Sequence, residues 1–228
     1  MKKTLFALLY ITTLCINIRA QQQTPFLQWQ KTYGGNQQEY ANSIEQTKDG
    51  GYIIAGNTYS KNNGDVTNNH GNSDYWIVKT DAFGNIQWQK SYGGSLNDVA
   101  NSIQQTTDGG YIVAGYAASN NGDVIGNHGS ADYWVLKLDA SGNIQWQKSL
   151  GGSDFERANI IQQTVDGGYI VAGFSYSNNG DVTGNHGSAD YWIVKLDSTG
   201  NIEWQKSLGG SAYEEPYLHS IQQTTDGG

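Results

Sequence analysis

The sequence repeats itself at an interval of 58 residues, and this feature limits the folds open to it more than any other. One tryptophan series, Trp76, Trp134 and Trp192, recurs at spacings of 58 and 58. A second series recurs at spacings of 59, 58 and 58 and consists of Trp29, Trp88, Trp146 and Trp204. Such regular repetition predicts one supersecondary unit stacked on copies of itself. Since no linker or shift in composition interrupts the repeats, residues 21–228 are predicted to form a single repeat domain.

Within one copy, the pattern indicates four short strands in two hairpins. Tyr133–Asp139 alternates apolar and polar residues, as expected for a strand, and a turn with glycine and asparagine leads into Ile144–Ser149. The segment Asn159–Thr164 is joined to Tyr169–Phe174 through Asp166-Gly167-Gly168. An Asp-Gly pair between apolar runs is a strong hairpin signal. The chain is therefore predicted to be all-β.

The predicted architecture is a β-propeller-like array of four-stranded antiparallel blades, with about three and a half repeats of 58 residues. A tryptophan at a strict repeat position is typical of packing between blades. The alternative is a β-solenoid, although solenoid coils usually repeat at roughly 20–30 residues. The sequence ends at Asp226-Gly227-Gly228, inside the turn of a second hairpin. Because proteins avoid open sheet edges, we expect an incomplete propeller that is truncated at its C-terminus.

The first 20 residues are predicted to be a signal peptide. Lys2 and Lys3 precede an apolar run from Leu5 to Leu14, and Ala20 lies where a signal peptidase would cleave. The apolar run is shorter than the roughly 20 residues that a membrane span needs. Cleavage would also remove Cys15, the one cysteine, so no disulfide is expected. We therefore expect a secreted or outer-surface protein without a transmembrane segment in the mature chain.

The charge of the mature chain limits its partners. Losing Lys2, Lys3 and Arg19 would leave ten basic residues against 21 acidic ones. An acidic surface repels the phosphate backbone, so nucleic acid is not an expected partner.

Three motifs carry a resemblance to a known family. They read W-Q-K-S-[LY]-G-G, Q-Q-T-x-D-G-G-Y-I-V-A-G and D-Y-W-[IV]-[VL]-K-L-D-x-x-G-N. The set resembles the repeats of secreted β-propeller-like proteins of Gram-negative bacteria that use the type IX secretion route. The resemblance implies an exported propeller, often followed by a C-terminal sorting domain. Some members of this group carry an endoglucanase label.

The long loop of each repeat supplies candidate binding residues. Each copy carries Asn-Asn-Gly-Asp, then a histidine, then an aspartate at the start of the Tyr-Trp strand. Oxygen-rich loops suit Ca²⁺, which makes Asp65, Asp123 and Asp181 calcium candidates. Alternatively, these side chains hold the loop in shape by hydrogen bonds to its backbone. The wider set of predicted ligand-binding residues is Asn121, Asp123, His128, Asp132, Asn179, Asp181, His186 and Asp190.

Acidic residues also recur at one position, just after the Gly-Gly that follows the Trp-Gln-Lys strand: Glu39, Asp98, Glu156 and Glu214. A residue present in every copy usually builds the fold, whereas a catalytic residue tends to break the repeat. The visible departures are Phe155-Glu156-Arg157 and the segment Ala212–Leu218, and neither offers a nucleophile beside a base. No catalytic residue is predicted.

These observations favour a non-enzymatic extracellular or cell-surface module for binding or scaffolding. Glycans and cell-surface proteins are the expected partners, and calcium is the one cofactor hypothesis. The alternative function is the repeat region of a secreted, endoglucanase-like polysaccharide hydrolase whose catalytic part lies outside this segment.

Overall fold

The computed structural model describes residues 27–212 and 221–224. The predicted signal peptide, the recurring acid Glu214 and the final turn lie outside the described residues. Residues 27–30 belong to an N-terminal unit, Met1–Gln30, and contain no helix or strand. The second unit is Lys31–Gly228.

The described residues form twelve strands and no helix, in three four-stranded antiparallel sheets. In each sheet the four strands lie in chain order, each hydrogen-bonded to the next. The all-β prediction with four antiparallel strands per repeat is confirmed. The first sheet contains β1 (Glu39–Gln46), β2 (Tyr52–Thr58), β3 (Asp74–Thr80) and β4 (Ile86–Tyr92); the second contains β5 (Asp98–Gln105), β6 (Tyr111–Ala117), β7 (Asp132–Leu138) and β8 (Ile144–Leu150); the third contains β9 (Glu156–Gln163), β10 (Tyr169–Ser175), β11 (Asp190–Leu196) and β12 (Ile202–Leu208).

Both predicted hairpins are present. In the turn between β9 and β10, the Asp166 carboxylate accepts hydrogen bonds from the Gly168 amide at 2.9 Å and from the Thr164 hydroxyl at 2.5 Å. Gly167 has a φ of +85°, a backbone conformation that glycine adopts without steric cost. The Asp-Gly-Gly sequence therefore fixes the turn through a side-chain bond and a residue without a β-carbon.

The boundary between sheets is set at the Gly-Gly that follows the Trp-Gln-Lys strand. β8 and β9 are consecutive in the chain, yet they belong to different sheets. The long loop instead joins the second and third strands of one sheet, and β6 pairs with β7 across it from Tyr111↔Leu138 to Ala117↔Asp132. Each sheet therefore consists of the Asp-Gly hairpin first and the Tyr-Trp hairpin second.

The hydrophobic core lies between consecutive sheets. Trp134 and Trp192 are fully buried, and their rings contact Tyr75 and Tyr133 of the preceding sheet at centroid distances of 4.6 Å. Each tyrosine hydroxyl also donates to the backbone carbonyl of the same tryptophan at 2.9 Å. Packing between sheets therefore buries both faces of the Tyr-Trp strand.

The first strands of successive sheets lie side by side, and polar side chains cover their free edges. The backbone amide of Gln105 in β5 donates to the Glu45 carboxylate of β1 at 2.7 Å. One repeat later, the backbone amide of Gln163 donates to the Gln104 side-chain carbonyl at 2.6 Å. Since an uncovered strand edge invites aggregation, these bonds both join the sheets and protect their edges.

Candidate functional site

Each long loop lies against the connection that leads into its own sheet. In the second repeat, the Asp123 amide donates to the Gly93 carbonyl at 3.0 Å, and the Gly93 amide donates to the Asp123 carboxylate at 3.2 Å. Asp181 makes the same pair of bonds with Gly151, and Asp65 makes it with Gly34. All three calcium candidates therefore tie the loop to the Gly-Gly connection.

The loop asparagines act in the same way. Asn121 accepts a hydrogen bond from the Ser95 amide at 2.8 Å and donates to the Ser95 hydroxyl at 3.0 Å. Asn179 repeats both bonds with Ser153. These side chains therefore hold the loop against the connection that leads into its sheet.

Each loop histidine is paired with the aspartate that starts the next strand. The buried Asp132 carboxylate faces the His128 amide at 3.0 Å and His128 Nδ1 at 2.6 Å, while about 45% of the histidine side chain stays exposed. His186 and Asp190 repeat the arrangement, with Nδ1 at 2.8 Å. Across residues 27–212 and 221–224, no three His, Cys, Asp or Glu side chains converge as a metal site. The calcium hypothesis stays a prediction.

Two of the recurring acidic residues, Asp98 and Glu156, are buried at the interfaces between sheets. Glu39 is half-buried, and Glu214 lies outside the described residues. Asp98 accepts hydrogen bonds from the Gly94 amide and the Ser119 hydroxyl, both at 2.8 Å. Glu156 accepts them from the Gly152 amide and the Ser175 hydroxyl, both at 2.7 Å. Because these carboxyl groups are shielded from solvent and bonded to the protein, they stabilise the connection and do not face a substrate.

A second carboxyl group approaches each of these acids from the preceding sheet. Asp74 Oδ1 and Asp98 Oδ2 both lie 2.7 Å from the position that a β-carbon on Gly93 would occupy. Asp132 Oδ1 and Glu156 Oε2 converge in the same way beside Gly151. A side chain on either glycine would therefore strike two carboxyl groups.

Burial raises the pKa values of three of these carboxyl groups, those of Asp74, Asp98 and Asp132. Within the described chain, Oδ1 of Asp74 and of Asp132 has no hydrogen-bond partner. Burial raises the pKa of Asp132 to about 6, and the neighbouring Glu156 carboxylate adds to the rise. Sequence analysis identified the recurring acids as structural, but the pairing between sheets becomes visible only in the fold.

One surface cleft was missed by sequence analysis. It lies between the first and second sheets, has a volume of about 410 Å³ and is lined by Gln37, Tyr59, Lys61, Asn72 and Asn97. Among the described residues, no carboxyl group lines it. The sequence did contain a signal for this cleft. The first tryptophan spacing is 59 where the others are 58, and the extra residue falls at the start of the long loop of the first repeat.

Comparisons add no identity to this picture. The sequence matches no family model, and no curated protein is significantly similar to it. Among the residues that the structure describes, no helix is long and apolar enough to cross a bilayer. The family resemblance drawn from the repeat motifs therefore stays a prediction.

Proposed function

We propose that this chain is an extracellular or cell-surface module that binds glycans or surface proteins and has no catalytic centre of its own. The observation that carries the proposal is the contrast between the two kinds of site. Asp98 and Glu156 are buried and bonded to backbone amides, whereas the cleft of Gln37, Tyr59, Lys61, Asn72 and Asn97 is open and departs from the repeat.

The chemistry of the cleft supports binding over hydrolysis. Glycoside hydrolysis usually needs two carboxyl groups on either side of the scissile bond, and the cleft lining contains none. It contains amides, a phenol and an ammonium group, which can orient a ligand through hydrogen bonds.

The proposal includes export and a propeller architecture. The sequence pattern of residues 1–20 supports secretion, and the repeat motifs support the type IX route. Three four-stranded sheets that meet through their first strands support a propeller over a solenoid.

The test combines binding and turnover on the same purified chain. The protein is applied to a printed array of neutral and acidic oligosaccharides and to immobilised outer-surface proteins, and each ligand that binds is then incubated with it and assayed for new reducing ends. We expect saturable binding without new reducing ends. Release of reducing ends would show a catalytic centre within this chain and overturn the proposal, and a folded sample that binds neither class would refute the binding function.

A further inference from the structure

The residues that line the cleft between the first and second sheets do not recur at the equivalent positions of the next interface. Equivalent positions can be identified from hydrogen bonds that both repeats make. The backbone amide of Gln37 donates to the Ser60 hydroxyl at 2.8 Å, and that of Leu96 donates to the Ser119 hydroxyl at 2.9 Å. The amides of Tyr59 and Ala118 both donate to the preceding connection at 3.0 Å. The second interface therefore carries Leu96, Ala118, Ser130 and Phe155 where the first carries Gln37, Tyr59, Asn72 and Asn97.

Lys61 is the residue inserted into the first repeat. Asn62 accepts a hydrogen bond from the backbone amide of Asn68, and Asn120 accepts the equivalent bond from Gly126 in the second repeat. Asn63 and Asn121 likewise both accept from the connection before their own sheet. These matched pairs leave Lys61 without a counterpart, so the insertion that breaks the 58-residue period lines the cleft.

The fold does not need this lining. The second interface is built by the same strands and bonds, yet it has small and apolar residues at these positions. There, the Phe155 ring packs against Tyr116 at 5.4 Å and Phe174 at 5.9 Å. A polar cleft that replaces an apolar contact without changing the fold points to binding.

The polar groups of the cleft are available to a ligand. Within the described part of the chain, the side-chain amides of Gln37, Asn72 and Asn97 have no hydrogen-bond partner. Each amide can donate and accept, which matches a hydroxyl group that also does both. The aromatic ring of Tyr59 offers an apolar surface beside them.

The charge of Lys61 is also uncompensated. Lys79, Lys137 and Lys195 are paired with aspartates at 2.8–2.9 Å, but Lys61 has no ion pair among the described residues. The whole chain carries a net charge of −8, so a free ammonium group in the cleft favours a ligand that carries a negative charge.

We propose that this cleft binds a saccharide, and that Lys61 gives it a preference for an acidic sugar unit. The proposal rests on the binding function proposed above and names its site and ligand class. The cleft volume of about 410 Å³ falls within the roughly 300–1,000 Å³ of small-molecule sites. Amides and one aromatic ring would hold the hydroxylated ring, and the ammonium group would contact a carboxylate.

The test uses a repeat-matched variant, in which Tyr59→Ala and Asn72→Ser are combined with removal of Lys61. Each change installs what the second repeat already carries, so the fold should survive, and a melting temperature close to that of the parent chain checks this. The matched control is Tyr176→Ala, at the equivalent of Tyr59 in the third repeat. Titration calorimetry with tetragalacturonate and with cellotetraose measures binding to the parent chain and to both variants.

We expect the parent chain to bind tetragalacturonate more tightly than cellotetraose. The repeat-matched variant should lose at least about tenfold in affinity for tetragalacturonate, because it loses several contacts at once. The Tyr176→Ala control should bind as the parent does. Removing Lys61 alone should abolish the preference for the acidic probe and leave binding of the neutral one.

Two results would overturn the inference. Equal binding by the parent and the repeat-matched variant would place the saccharide elsewhere, and the proposed binding function would stand. A folded parent chain that binds neither probe would remove the saccharide site. Binding to surface proteins on the array would then still support the wider function, so the two failures are distinguishable.

Discussion

Replacing Asp132 by asparagine should stabilise the protein at neutral pH, although the change removes a charge that recurs in each repeat from a hydrogen-bonded site. The Asp132 side chain is 0% exposed, and its Oδ2 atom faces both the amide and Nδ1 of His128. Its Oδ1 atom has no partner and lies close to the Glu156 carboxylate beside Gly151. The ionised form therefore places two negative charges in a poorly solvated space.

The magnitude follows from the shift of the Asp132 pKa from 3.8 to about 6. One pKa unit corresponds to about 1.4 kcal/mol, so ionising this buried group costs the folded state roughly 3 kcal/mol. Below about pH 4, both folded and unfolded chains hold the proton and the cost is absent. Between about pH 4 and 6 the unfolded chain releases the proton first, so stability falls as pH rises, and above pH 6 the cost is fully present.

Asparagine keeps the shape and removes the charge. Its carbonyl can accept both hydrogen bonds from His128, while its amide group can donate to the Glu156 carboxylate where Oδ1 had no partner. At pH 8 we expect the free energy of unfolding of Asp132→Asn to exceed that of the parent by up to about 3 kcal/mol. The difference should shrink to less than about 1 kcal/mol near pH 4.

The assay is urea unfolding, followed by tryptophan fluorescence, at one-unit steps from pH 4 to pH 8. Asp49→Asn serves as the opposite control, because hydrogen bonds from Thr47 and Lys79 lower the pKa of Asp49 to about 2. That variant should be less stable than the parent throughout this range. If Asp132→Asn were less stable than the parent at pH 8, or kept the parent's pH dependence, the buried-pair reasoning would be refuted.

Further predictions concern the turns, the interfaces between sheets and the loops. Gly109→Val should lower the free energy of unfolding in urea by about 1–2 kcal/mol. Gly109 has a φ of +86° and no atom lies near its missing β-carbon, so the cost comes from the backbone conformation and not from a clash. Gly109→Asn should lose less, and an unchanged unfolding midpoint for the valine variant would contradict the turn assignment. Tyr133→Phe should cost about 0.5–1.5 kcal/mol by calorimetry, since it removes a buried hydrogen bond between two sheets, from the Tyr133 hydroxyl to the Trp192 carbonyl. A neutral result would mean that this bond contributes nothing. Asp123→Ala should lower the free energy of unfolding by about 1–3 kcal/mol, because the Gly93 amide loses its hydrogen bond to the Asp123 carboxylate, and the loss should be equal in millimolar calcium and in chelator. A melting temperature that rises with calcium in the parent but not in the variant would instead assign Asp123 a role as a metal ligand.

The strands and tight turns could be predicted because they depend on neighbouring residues. Alternation in Tyr133–Asp139 and the Asp166-Gly167-Gly168 turn encode their structure within a few positions, and the 58-residue period multiplies that information over the copies. The burial of both faces of the Tyr-Trp strand was also within reach, since packing between copies covers both sides of a sheet.

The sheet boundaries depend on pairing between distant strands. β8 is adjacent in sequence to β9 but pairs only with β7, and nothing in the local pattern of either strand decides this. The roles of the loop residues are equally non-local. Asp123 and Asn121 resemble metal ligands in the sequence, and only the position of the Gly93 connection shows which hydrogen bonds they make.

The sequence by itself determined the strands, the turns and the repeat, because each is specified by residues that are close in the chain. The tertiary structure alone decided which carboxyl groups share a buried space and which side chains line the cleft. Gln37, Tyr59 and Asn97 are far apart in the sequence and meet only when two sheets pack. The physical reason is that charge repulsion and ligand contacts depend on distance in space, which a periodic sequence fixes only after its sheets are stacked.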